Sequence, residues 1–478
     1  MTAHWQPLTI IHTNDLHSRF EQMPRMASAI RQLKQHRTKD EVLTLDIGDH
    51  MDRMRVETEG SMGAANVAVL NATGYDAVVL GNNEGLTFPK ETIERTYRDH
   101  ARFAILGSNL TEAETGRQPD WMVPSVLMRR GQIQVGLIGV TAFYSAFYTL
   151  LGWTVLEPIE AVRREASRLR REGADVVVVM SHLGLTQDRL MAHGVPEVDI
   201  ILGGHTHHLL ETPERIGNVW IAATGSHGKY VGELTLRYDL ETRKLELEQG
   251  RCLPVDEYPA DPVLERLIER YRAAGERELQ RPIAKLEEPL ALHWYEESEL
   301  GNLLAAGIRR WTGGEIGLVN AGQLLAEVRE GTVTAGQLHQ LCPSPINPCV
   351  TLLAGRHLVQ ALEESLLPEF YERPIKGFGF RGQVLGVLCV DGLEVHYDPS
   401  GKAMGKIRSV LVNGAPLMPE KRYRVGMIDM FTFGSGYTSL AQGEETRYYL
   451  PEFLRDLLAD QLQRADQLLA CRTIRWQA

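Results

Sequence analysis

The stretch Ile200-Ile201-Leu202-Gly203-Gly204-His205-Thr206-His207 decides how this chain is read. Three apolar residues, two of them β-branched, read as a strand buried on both faces. Two glycines then let the backbone turn tightly. Two histidines follow, and imidazoles placed at the end of a buried strand are costly without a partner. Neutral imidazole is the commonest protein ligand for a metal ion.

The same arrangement recurs upstream. Asp15-Leu16-His17 follows the apolar run Leu8 to His12, and Asp46-Ile47-Gly48-Asp49 closes the run Val42 to Ile47. Gly81-Asn82-Asn83-Glu84 follows Ala77 to Leu80, and Ser181-His182 follows Val176 to Met180. Each cluster alone is commonly a turn or a helix cap. Five in succession, each closing an apolar strand, point to one site, because α/β sheets bind ligands at the C-terminal edge of their strands.

Further runs at Phe103 to Leu106, Ile133 to Val140 and Trp220 to Ala223 also read as strands. Between them lie amphipathic stretches. Pro158 to Arg171 carries Ile159, Val162, Ala166 and Leu169 at helical spacing, with Gly173 as a stop. Alternating strands and helices predict a layered α/β fold. A charged helical stretch, Asp261 to Arg281, follows with one apolar stripe. Beyond it lies a second α/β unit, with a helix at Leu300 to Trp311, a strand at Ile316 to Asn320 and a β-rich stretch from Gly382 to Val425. The expected division is 1–255, a linker helix over 256–283, and 284–478, in keeping with a length of 478 residues.

Composition narrows the function. Acidic residues number 62 and basic residues 51, a net charge of −11 that gives no general attraction for nucleic acid or anionic membrane. Five cysteines without a C-x-x-C pair fit free buried thiols in a reducing compartment, with no disulfide framework or zinc ribbon. No signal peptide or membrane-spanning run is visible, and the expectation is a cytoplasmic protein. The expected partner is a small molecule, with no obligate protein partner.

Imidazole, carboxylate and amide oxygen suit Mn, Zn, Fe or Co. Two such cations about 3.5–4 Å apart can clamp the attacking and leaving oxygens of a displacement at phosphorus. A pair of this kind needs a bridging carboxylate, and Asp49 is the candidate.

The order D-x-H, G-D, G-N-[HN]-E, S-H-x-G, G-H-T-H resembles the calcineurin-like metallophosphoesterases. Ile11-His12-Thr13-Asn14-Asp15-Leu16-His17 is similar to the opening of the 5′-nucleotidase / 2′,3′-cyclic phosphodiesterase family. The segments Glu299 to Asn302, Ile316 to Gly322 and Phe433 to Tyr437 look like landmarks of that family's C-terminal nucleotidase domain. The resemblance implies an N-terminal four-layer αββα sandwich and a C-terminal 5′-nucleotidase-like substrate domain. It implies two divalent metal ions, one on Asp15, His17, Asp49 and His207, the other on Asp49, Asn82, His182 and His205. A metal-bridging hydroxide would attack phosphorus, with Asn82, Asn83 and His182 as the candidate catalytic residues. Asn320, Asn347, Phe431 and Tyr437 would contact substrate, within an aromatic wall that also draws on Phe433, Phe378 and Phe380.

The chain departs from the family pattern in informative places. The family's G-N-H-E-[FW]-D is here Gly81-Asn82-Asn83-Glu84-Gly85-Leu86, so Asn83 replaces a histidine and Leu86 an aspartate. An amide is not a general acid near neutral pH, which predicts a slower enzyme, a better leaving group, or a proton donor from elsewhere. His227 in Thr224-Gly225-Ser226-His227-Gly228 is a candidate donor; its ordinary reading is a surface-loop histidine. The family's N-G-G-x-[IV]-R is here Asn320-Ala321-Gly322-Gln323-Leu324-Leu325, and its G-G-D-G-[YF] is Phe433-Gly434-Ser435-Gly436-Tyr437. The expected arginine and ribose-binding acid are absent from those positions. The leading expectation is a phosphoesterase acting on a nucleotide or related phosphoester. Its rivals are a phosphodiesterase or pyrophosphatase for dinucleotides or nucleotide sugars, and a metal-binding sensor with little turnover.

Overall fold

Four consecutive valines show how the chain is layered. A strand sends successive side chains to opposite faces. In the strand Val176–His182, Val176, Val178 and Met180 enter one core, and Val177 and Val179 enter another. Every one is fully buried, each worth roughly 1.5–3 kcal/mol. A charge at any of them would lose that burial on a sheet with no solvent face. Strand Trp5–Thr13 divides in the same way, with Leu8 and Ile10 facing one core and Ile11 another.

The computed structural model describes residues 4–377 and 379–478. It comprises two units, Met1–Gly275 and Glu276–Ala478. In the first, one six-stranded sheet contains the parallel strands Trp5–Thr13, Val42–Asp46, Ala77–Val79 and Ala104–Leu106. The antiparallel Tyr230–Asp239 and Lys244–Pro254 complete it. A second six-stranded sheet contains the parallel strands Ile133–Thr141, Val176–His182, Ile200–Gly203 and Val219–Ala222. The central core draws side chains from both sheets, so they pack face to face. Helices Met23–Lys34 and Ala64–Thr73 cover the outer face of the first sheet, and Pro158–Arg171 and Leu185–Gly194 that of the second. The result is the expected four-layer αββα sandwich.

Local sequence sets the helix ends. Pro158–Arg171 begins where the Glu157 carboxylate accepts from the Glu160 N–H at 2.7 Å and ends before Gly173, at φ +95°. The helix Pro262–Glu278 starts where Asp261 Oδ1 accepts from the Val263 N–H at 2.8 Å. Its Leu264 and Ile268 join the core under Met23–Lys34, so the stretch read as a linker packs on the first unit as far as Gly275.

The second unit is built on a five-stranded sheet, in the order Leu388–Asp391, Ile316–Asn320, Arg422–Ile428, Pro348–Ala354, Glu444–Tyr448. Helix Glu299–Thr312 lies across it, burying Leu300, Leu303, Leu304 and Ile308. Gly317 permits this approach, since a Cβ there would stand 2.2 Å from the Ala305 carbonyl oxygen. A smaller sheet holds Ile407–Val412 and Leu393–Tyr397. No helix among the described residues is long and apolar enough to cross a membrane. All five cysteines are free, four of them buried.

Candidate metal centre

Parallel strands end on a common edge, and in the first unit those ends carry the polar clusters. Asp15 and His17 follow Trp5–Thr13, Asp49 follows Val42–Asp46, and Asn82 opens the helical turn after Ala77–Val79. His182 ends its strand, and His205 and His207 follow Ile200–Gly203. One sheet thus supplies Asp15, His17, Asp49 and Asn82; the other supplies His182, His205 and His207.

Their donor atoms converge in two groups, Asp15 with His17 and His207, and Asp49 with His182 and His205, each with all its atoms within 4.8 Å of one another. In the first group, His17 Nε2 lies 3.0 Å from His207 Nε2, and His207 Nε2 lies 3.4 Å from Asp15 Oδ1. Asp49 faces both groups, with Oδ2 4.0 Å from His17 Nε2 and Oδ1 3.3 Å from His182 Nε2. Asp15, Asp49 and His182 are buried, while His207 is exposed, so the site opens on one side.

The residues fit a pair of cations. Asn82 Oδ1 is a buried acceptor without a protein hydrogen-bond partner, which a native interior rarely leaves. His182 Nδ1 donates to the Ile47 carbonyl at 2.7 Å, which turns Nε2 toward Asp49 and, once that nitrogen loses its proton, leaves its lone pair for a cation. A Cβ at Gly81 would stand 2.1 Å from Asp49 Oδ1, so only glycine lets the third cluster approach the bridging position.

Backbone conformation marks the same place. Among the described residues, twelve other than glycine have positive φ, and seven of them lie here: Asp15, His17, Ser18, Asp49, His205, His207 and His227. Left-handed backbone is disfavoured for L-residues by roughly 1–2 kcal/mol, and such strain gathers at functional sites.

Electrostatics suit cation binding. Burial opposes charge on both Asp49 and His182, but their mutual attraction prevails, holding the carboxyl below and the imidazole above its ordinary range. Burial and the neighbouring His182 charge push His205 down to about 4, leaving it neutral as a ligand must be.

Two supporting residues went unassigned in the sequence, and the candidate donor His227 joins them. Glu84, fully buried, accepts from the backbone N–H groups of Asp49, Met51 and Gly81 at 3.0, 2.7 and 2.8 Å. It ties the second and third clusters together. Asn14 accepts from the Thr224 N–H and donates to the Gly225 carbonyl and Asp15 Oδ2. His227, read as an ordinary surface histidine, sits in the site: its N–H donates to the Asp15 carbonyl at 2.7 Å. The signal was present, because Val219–Ala222 runs parallel beside Ile200–Gly203 and its end carries a sixth polar cluster.

Asn83 is occupied within the site. Its Nδ2 lies 3.1 Å from His17 Nδ1 and donates to the Met51 carbonyl at 2.9 Å, and its backbone N–H donates to Asp49 Oδ1 at 2.8 Å.

In the second unit, Asn320, Asn347, Phe431 and Tyr437 are all buried. Asn320 Nδ2 donates to the Leu385 carbonyl at 2.6 Å and its Oδ1 accepts from Gln323. Asn347 Nδ2 donates to the Glu452 carbonyl and Tyr437 Oη to the Gly386 carbonyl, each at 2.7 Å. Phe431 packs edge-on to Tyr437. Phe380 is buried and Phe433 is half exposed; Phe378 lies outside the described residues.

An αββα sandwich whose strand ends gather two groups of acidic and imidazole donors around a shared carboxylate defines a metallophosphoesterase. Residues 8–209 match the calcineurin-like phosphoesterases, and residues 282–442 match the 5′-nucleotidase C-terminal domain. The chain is 36% identical over 459 residues to the uncharacterized metallophosphoesterase YunD of Bacillus subtilis (strain 168), covering 95% of this chain and 98% of that protein. It is 24% identical to the snake venom 5′-nucleotidase of Crotalus adamanteus, covering 96% of this chain and 86% of that one. Its fold is shared with the NAD nucleotidase of Haemophilus influenzae, at a TM-score of 0.70 and 17% identity over 99% of this chain and 97% of that one. The chain belongs to the metallophosphoesterase family that carries a 5′-nucleotidase C-terminal domain, and it is a metal-dependent phosphoester hydrolase.

Proposed function

We propose that the chain hydrolyses a nucleotide or related small phosphoester at the edge where its two sheets meet. The observation that carries this reading is Asp49, one oxygen facing His17 and the other His182. Asp15, His17, Asp49 and His207 would hold one divalent cation; Asp49, Asn82, His182 and His205 would hold the other. When bound, two such ions (Mn, Zn, Fe or Co) supply Lewis acidity and an activated nucleophile at neutral pH.

The chain's own residues set the geometry around that chemistry. Glu84 fixes the backbone that presents Asp49, and the Ile47 carbonyl fixes the ring of His182. Asn82 presents an amide oxygen and would help orient the ester. Asn83 braces His17. With its amide so engaged, Asn83 offers no proton to a leaving group. This favours leaving oxygens that need little protonation, such as the phosphate of a dinucleotide or nucleotide sugar, as the second reading. In the proposed division, 1–255 is the catalytic domain, 256–283 a linker helix and 284–478 a 5′-nucleotidase-like substrate domain. There Asn320, Asn347, Phe431 and Tyr437 would contribute shape, since their polar groups are largely engaged. The five free cysteines support a reducing compartment such as the cytoplasm.

The test is hydrolysis by purified protein with Mn²⁺ across nucleoside monophosphates, 2′,3′-cyclic nucleotides, NAD, nucleotide sugars and p-nitrophenyl esters. Turnover should fall on the order of 10³-fold in Asp49→Asn. Direct release of inorganic phosphate marks a monoesterase; release of a nucleotide first marks the second reading. No turnover on any nucleotide-derived substrate would overturn the proposal.

A further inference from the structure

The sixth strand end carries a group that the proposed ligand set does not use. Asn14 draws the segment after Val219–Ala222 onto the first metal cluster: its Oδ1 accepts from the Thr224 N–H and hydroxyl at 2.9 and 2.6 Å, and its Nδ2 donates to the Gly225 carbonyl at 2.6 Å and to Asp15 Oδ2 at 2.7 Å. The His227 N–H closes the link on the Asp15 carbonyl, with the residue held left-handed at φ +64°. Its ring centroid consequently stands 5.5 Å from that of His17 and 5.7 Å from that of His207.

The ring is oriented as well as placed. Ser226 Oγ lies 3.0 Å from His227 Nδ1. A hydroxyl donating there leaves the imidazole proton on Nε2, on the side away from the serine. Burial and then the His17 imidazole disfavour charge on His227, with smaller contributions from Arg19, His207 and Lys229. Arg19 has a distant partner in Glu21, at 3.8 Å. A flank of this sign repels a further cation and attracts an anion.

The departure from the family pattern at position 83 then acquires a counterpart. Position 83 has lost its imidazole, and the amide that replaced it is engaged with His17 and Met51. An imidazole stands instead at 227, against the same His17.

We infer that His227 is a substrate-binding residue whose Nε2–H donates to an oxygen of the phosphoester, in place of the imidazole missing at position 83. The inference rests on the phosphoesterase reading of the site. It assigns His227 to the anion and not to the metals.

The full-length protein loaded with Mn²⁺ provides the test. Calorimetry would read two affinities, for Mn²⁺ and for inorganic phosphate, in the wild type and in His227→Asn. Asparagine tolerates left-handed backbone, so the loop is kept while the donor is drawn back. Phosphate affinity should fall about tenfold, the lower range for a hydrogen bond to a charged group. Mn²⁺ affinity should stay within about twofold, well short of the loss that follows damage to a metal site. His227→Gln, which restores a donor at similar reach, should recover part of the phosphate affinity. Lys229→Ala should weaken phosphate less, by an amount that shrinks with added salt. Unchanged phosphate affinity in His227→Asn would overturn the assignment, as would a parallel loss of Mn²⁺, which would make His227 a ligand. A wild type that binds phosphate but cleaves no ester would overturn the functional proposal alone.

Discussion

The polar landmarks of the two units meet different fates. In the first unit, Asn82 Oδ1 is buried with nothing from the protein to bind, and buried His182 Nε2 meets only the Asp49 carboxylate of its own cluster. In the second, the side-chain nitrogens of Asn320 and Asn347 and the hydroxyl of Tyr437 each hold a backbone carbonyl. Asn82, His182, Asn320 and Tyr437 all stand in segments that resemble family motifs. The first set is kept ready for something outside the chain; the second is consumed in holding the chain together. An unfilled buried acceptor is expensive, so where it persists it marks a site. A filled one marks a brace, whatever motif surrounds it.

Three substitutions would sharpen or break this contrast. The largest effect is expected from Asn83→Ala, in the first unit. It removes the amide against His17 and should weaken Mn²⁺ binding by about 10- to 100-fold, the range for residues that orient metal ligands. Calorimetric titration checks it, and an unchanged affinity would show that His17 needs no brace. The next is Asn320→Ala, in the second unit. It leaves the Leu385 carbonyl and Gln323 without their partner and should cost about 1–3 kcal/mol of stability. A raised KM without a lowered Tm would instead return Asn320 to the substrate and erase the contrast.

The smallest effect at neutral pH is expected from Asp429→Asn. The Asp429 carboxyl accepts from the Asn347 N–H at 3.2 Å, and burial raises it from 3.8 to about 7. Because the folded value is raised, its contribution to stability is full below about 3.8 and is lost as pH rises through about 7. Nearby Cys349 and Tyr448 are both raised above their ordinary values and stay neutral through that window. Asp429→Asn should flatten the slope of Tm against pH between about 4 and 7. A wild-type slope that survives the substitution would place the titration elsewhere.

The sequence was most legible where hydrophobic periodicity and a terminating signal agreed. Pro158–Arg171 and Ile316–Asn320 occupy the ranges that their spacing predicts. The clustering of Asp15, His17, Asp49, His182, His205 and His207 followed from polar residues at successive strand ends. Glu84 was not legible, because its role is to accept backbone N–H groups 33 and 35 residues away, and backbone donors leave no mark on sequence. His227 was only half legible, for another reason. A single histidine among Thr, Gly and Ser looks like any surface turn, and the bond that captures it runs through Asn14, 210 residues from Thr224. Burial of Asn347 and Tyr437 was likewise hidden, since asparagine and tyrosine serve equally well in a binding wall and in a core.

The seven left-handed residues at the strand ends also bear on how such a site changes over evolutionary time. Left-handed backbone admits Asn, Asp, His and Gly far more readily than other residues. Three of those four are also the residues that bind hard and intermediate metals. At these positions the loop's shape and the metal's chemistry select from almost the same alphabet. A substitution that keeps the backbone comfortable is therefore usually still a possible ligand.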